Sequence, residues 1–77
     1  MKTGLYKHYK GQYYQVVGVA RHEVTHKPLV IYQAHYGDFA LWARDLEVFE
    51  SMVEIDGTTI PRFEFIRENL AEMPKLD

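Results

Sequence analysis

Apolar positions in this chain fall in short runs that alternate with polar ones, and turn residues interrupt them about every eight to twelve positions, the spacing of a small β-fold. Leu5 to Lys10 alternates, with Leu5, Lys7 and Tyr9 on one face and Tyr6, His8 and Lys10 on the other, so it reads as a first strand. Gly11-Gln12 turns the chain into Tyr13 to His22, a long second strand rich in β-branched and aromatic residues. Gly18 inside that run predicts a bulge or sharp bend. Glu23 to Pro28 is the polar loop of a hairpin, followed by a third strand, Leu29 to Tyr36. Gly37-Asp38 turns into a fourth, Ala40 to Arg44. Asp45 to Phe49 reads as a single helical turn, with Asp45 as its cap and Leu46 and Phe49 sharing the inner side. Met52 to Ile55 and Arg62 to Ile66 alternate again, separated by the hairpin signal Asp56-Gly57. From Glu68 the chain is polar and reads as a short helix or a frayed end.

These elements predict an all-β fold: a small SH3-like barrel of about five antiparallel strands with one short helical turn. An OB-type barrel is the alternative, but it usually needs a longer chain and a true helix. Residues 1–77 read as one domain, with a core over 4–66 and a polar C-terminal tail over 67–77. The expected interior is Tyr14, Val16, Ala20, Val30, Tyr32, Leu41, Leu46, Phe49 and Phe63, whereas Tyr9, Tyr13, Tyr36 and Trp42 are the surface candidates. A chain this short buries only about 60% of its unfolded surface, and aromatic side chains, at about 150–250 Å² each, must supply much of that burial.

Composition narrows the setting. The 77 residues contain no cysteine and no long apolar run, so neither a disulfide framework nor a membrane-spanning or export segment is expected, and a cytoplasmic location is. The net charge of −2 conceals a split. Residues 1–36 carry Lys2, Lys7, Lys10, Arg21 and Lys27 against Glu23 alone, whereas ten of the 11 acids lie in residues 37–77. In a folded β-domain the two halves are expected to interleave into a mixed surface.

The succession His8-Tyr9-Lys10-Gly11, Tyr14-x-Val16-x-Gly18-x-Ala20-Arg21-His22, Tyr32, Tyr36-Gly37-Asp38, Leu41-Trp42-x-Arg44, Phe49 and Pro61-Arg62-Phe63 resembles the DUF1653 family, small bacterial proteins of unassigned function. The resemblance spans residues 4 to about 66 and implies a compact SH3-like β-barrel and a bacterial cytoplasmic protein, with no reaction or ligand attached. Two positions depart from the family pattern: Glu23-Val24-Thr25 stands where Ser-Glu-Thr is usual, and Arg44-Asp45 where Arg-Pro is usual.

Candidate chemistry is thin. Four histidines, His8, His22, His26 and His35, invite a metal reading, but zinc needs three or four converging ligands and no such spacing appears; no metal or other cofactor is expected. A catalytic alternative would take His22 or His8 as base, Asp38 as orienter and Arg44 or Arg62 as anion clamp. Single-stranded nucleic-acid binding would use the lysines interleaved with tyrosines, against which stands the negative net charge. The favoured expectation is a non-enzymatic binding or interaction module using His8, Tyr9, His22, Tyr36, Asp38, Trp42, Arg44 and Arg62. Its expected partner is a protein or peptide, with a homodimer through an edge strand as a further possibility.

Overall fold

Two-residue turns and one bulge decide how the strands meet. The computed structural model describes residues 1–68. Seven strands and one helical turn follow in order: β1 (Gly4–His8), β2 (Tyr13–Arg21), β3 (Pro28–Ala34), β4 (Leu41–Asp45), α1 (Leu46–Phe49), β5 (Met52–Ile55), β6 (Thr58–Pro61) and β7 (Phe63–Glu68). The first five-stranded sheet runs β4-β3-β2-β1-β7 with antiparallel neighbours, and β5-β6 forms a separate two-stranded ribbon. The fold is thus mostly antiparallel β with one short helix, and its large sheet has two ends, β4 and β7, where the expected closed barrel has none.

The two extra strands come from the Asp56-Gly57 turn. Both residues are left-handed, with φ of 51° and 80°, the requirement of a type I′ hairpin loop. Such a loop pairs the strands immediately around it, so Ile55 meets Thr58 and Thr58–Pro61 becomes a strand. Arg62 to Ile66, expected as the hairpin partner, instead supplies most of β7 and pairs with β1. β7 continues through Arg67 and Glu68, the start of the expected tail, while the helix or frayed end expected from there on falls on residues 69–77, outside the described residues.

The expected irregularity near Gly18 is a bulge at Val17: Val16 faces Tyr32 and Gly18 faces Ile31, leaving Val17 unpaired. One extra residue reverses which side chains face inward. Tyr14 and Val16 point into the core, but beyond the bulge Ala20 turns outward and is exposed, correcting its interior assignment. Leu41 is corrected for a related reason. The register pairs Tyr32 with Trp42 and Val30 with Arg44, so Trp42 and Arg44 share the core-facing side of β4 and Leu41, 64% exposed, lies on the other.

The core comprises Tyr6, Tyr14, Val16, Val30, Tyr32, Ala34, Phe49 and Phe63, with Leu46 and Phe65 packed against it. Phe49 is its plug: the ring stacks on Phe63 at 4.0 Å and meets Tyr6 and Tyr32 edge-on at 5.4 Å. Asp45 occupies the cap position of α1 but makes no side-chain cap hydrogen bond; it is also the last residue of β4, held by pairing with Leu29.

Candidate functional site

Phe49 covers only part of the sheet's inner face. Toward β4 that face stays open as a cleft of about 210 Å³ lined by Tyr14, Tyr32, Tyr36, Trp42 and Arg44. Its residues meet because β2, β3 and β4 are successive neighbours: Tyr32 lies opposite Trp42, Tyr14 opposite Ala34, and Tyr36 follows the end of β3. Tyr14 and Tyr32 are buried, Tyr36 and Trp42 exposed. The Tyr14 and Tyr36 hydroxyls share a 2.7 Å hydrogen bond, and the Tyr14 ring packs edge-on against Tyr32 and Tyr36. Burial first, then the hydrogen bond and proximity of Tyr36, pushes the Tyr14 phenol up to about 12, so it stays protonated well above neutral pH. The Arg44 guanidinium lies 5.7 Å from the Phe63 ring centre, a cation–π contact.

Behind the cleft, His8 packs edge-on against Phe63 at 4.8 Å and against Tyr14 at 6.3 Å, with Tyr9 at 4.5 Å on its other side. Its Nδ1 accepts a hydrogen bond from the Lys10 backbone N–H, so the neutral ring carries its proton on Nε2. Burial, then the Arg44, Lys10 and Arg62 cations, holds its pKa below the usual imidazole range. All three charges acting on His8 are positive, although the chain's net charge is −2. Arg62 also ties elements together: its Nε donates to Ser51 Oγ at 2.9 Å and its carbonyl accepts from the Tyr9 N–H.

Of the eight residues singled out from the sequence, Tyr36, Trp42 and Arg44 line the cleft, and His8, Tyr9 and Arg62 gather behind it. His22 is placed elsewhere. It lies eight residues beyond Tyr14, about 26 Å of extended strand, where its Nδ1 accepts from Val24 and Thr25 N–H and organises the β2–β3 loop. Asp38 sits exposed in the β3–β4 turn, two residues beyond Tyr36. Among the described residues no helix is long and apolar enough to cross a membrane, and no group of three or more His, Cys, Asp or Glu could hold a metal ion. The sequence reading missed Tyr14 and Tyr32 as cleft residues because it counted them only as core. The available signal was their hydroxyl: a tyrosine at a core position brings a polar tip that must reach a rim or a partner.

The fold and cleft together define a small antiparallel β-domain that presents an aromatic, arginine-bearing hollow beside a sheet edge. Residues 4–65 match the family model for DUF1653, a protein family of unknown function, and the chain belongs to that family. It is similar to a crystallographically solved DUF1653 protein from Bordetella bronchiseptica, with a TM-score of 0.81 and 28% identity over 88% of this chain and 90% of that one. No curated protein matches it.

Proposed function

We propose that this chain is a non-enzymatic binding module whose cleft receives a side chain or end group of a protein or peptide partner. The carrying observation is the combination in one hollow of Tyr32 and Trp42 rings, the linked Tyr14 and Tyr36 hydroxyls and the Arg44 guanidinium, with no carboxylate in the lining. Aromatic walls favour flat or apolar groups, and a guanidinium favours an oxyanion. His8, Tyr9 and Arg62 support the site from behind by packing and charge. In this reading the sheet is an SH3-like barrel left open between β4 and β7. Its setting is the bacterial cytoplasm, supported by the Bordetella relative and the cysteine-free sequence.

The test is capture of a partner by immobilised chain, compared with Trp42→Ala and Arg44→Ala, each checked for an intact fold by circular dichroism. Each substitution is expected to weaken capture about tenfold or more, because truncating an aromatic or arginine anchor removes about 2 kcal/mol. Retention of the partner by both folded variants overturns the site.

A further inference from the structure

Resting on that cleft reading, we infer that β4 is an acceptor edge for an extended peptide segment, which adds to the sheet and places a carboxylate side chain beside Arg44 and a bulky apolar one beside Trp42, two residues apart. β4 pairs with β3 on one side and ends the sheet on the other. Its five-residue ladder with β3 runs without a register shift, and its residues include no proline. The opposite edge is blunted: β7 carries a register irregularity beside Ile66 and the charged residues Glu64, Arg67 and Glu68. β4 therefore offers the unprotected row of main-chain donors and acceptors that strand addition uses.

The side chains fit the same mode. Trp42, 53% exposed, and Arg44 alternate onto the cleft side of β4, so residues of an added strand that face them are themselves two apart. Long side chains reach diagonal neighbours across a strand pair, which brings one of them between Trp42 and Arg44 and into the hollow. At about 210 Å³ the cleft is smaller than the roughly 300–1,000 Å³ of pockets that enclose a whole small molecule, and suits one side chain. Its polar groups are donors in excess. One hydrogen joins the Tyr14 and Tyr36 oxygens, the other hydroxyl hydrogen is uncommitted, and the Arg44 guanidinium, beside the Phe63 ring, makes no hydrogen bond to another described residue. A carboxylate accepts from both. A second copy adding through β4 would bring another Arg44 to the cleft rather than an acid, and a nucleic acid has no ladder to offer the edge.

The experiment uses the full chain and its one tryptophan, Trp42, as reporter. The probe is a capped threonine heptapeptide with Glu at its third and Phe at its fifth position. It is expected to shift Trp42 emission and slow amide exchange in residues 41–45. Replacing its Glu by Gln, setting Glu and Phe adjacent so that they face opposite sides, or methylating its edge-facing amides should each weaken binding about tenfold or more. Equal binding by the adjacent or the methylated peptide overturns strand addition. Free benzoate that shifts Trp42 emission while no peptide does overturns strand addition but keeps the cleft. Self-association without peptide, or preference for a single-stranded oligothymidylate, overturns the peptide occupant, and silence toward every probe overturns both readings.

Discussion

Tyr14 sits where three demands meet: its ring is core, its edge is cleft wall, and its hydroxyl is half of the pair with Tyr36. Its phenol titrates near 12 rather than about 10. The folded chain therefore keeps that proton while the unfolded chain loses it. Stability present below pH 10 declines as the pH rises through 12. Tyr14→Phe should remove this alkaline dependence and the late step in tyrosinate absorbance, while costing about 0.5–1.5 kcal/mol at neutral pH, because the hydroxyl left behind on Tyr36 is exposed to water. His8 works in the opposite direction. Burial among Tyr9, Tyr14 and Phe63, with Arg44, Lys10 and Arg62 nearby, lowers its folded pKa below 6.5. Protonation then favours the unfolded chain, so the His8 contribution is full above the unfolded pKa and is lost as pH falls through the folded one. Across this window the melting temperature of the wild-type chain should fall relative to that of His8→Gln on the acid side only; parallel curves would show that His8 is not held neutral by its surroundings. At this scale the sequence was readable in residue type more than in placement. Aromatic, histidine and arginine positions announced a polar-tipped aromatic surface, but the face each residue occupies depends on strand register.

Elements were legible wherever local chemistry sets them. The turns at Gly11, Gly37 and Asp56-Gly57, the alternation in β1 and β2 and the single turn of helix before Phe49 all follow from short-range rules. Parity across strands is a pairing property: the bulge at Val17 turns Ala20 outward, and the regular β3–β4 register, which sets Trp42 opposite Tyr32, turns Leu41 outward. The partner of β7 is equally non-local: nothing near Phe63 says that it will lie beside His8. Two predictions belong here. At Gly57, φ is +80° and an added Cβ meets nothing within 4 Å, so the effect of Gly57→Ala is purely conformational. It should cost about 1–2 kcal/mol in urea unfolding and leave peptide binding at β4 unchanged. The four residues of α1 are too few to form a stable helix by propensity alone. What holds them is Phe49, 1% exposed and stacked on Phe63. Phe49→Ala should therefore cost about 3–5 kcal/mol, a large share of the stability of so small a chain; a loss below about 1 kcal/mol would show that the ring is not the plug.

Across the whole molecule the sheet order resolves the charge split. The basic first half supplies the three inner strands β3, β2 and β1, and the acidic second half supplies both edges and the β5-β6 ribbon. Arg44 and Arg62 are the exceptions that matter, because folding brings these two cations of the acidic half to the side of Lys10, around His8. A ligand approaching the cleft thus meets a local positive field set within a molecule of net charge −2. Added salt screens the long-range repulsion and the close attraction together, with a Debye length of about 8 Å at physiological ionic strength, so the two effects oppose each other. A single carboxylate held by Arg44 should then show a shallow salt dependence, a slope of about one or less in log affinity against log salt. A strand of nucleic acid lying along Lys2, Lys7 and Lys10 would instead release several counterions and give a slope several times steeper. The side chains of Lys7 and Lys10 already sit over the Tyr13 and Tyr9 rings, at 5.8 Å each, which occupies the faces on which bases would stack. Titrating the acidic heptapeptide against Trp42 emission at several salt concentrations measures that slope directly, and a steep one would move the binding surface from the cleft to the lysine-bearing face of β1.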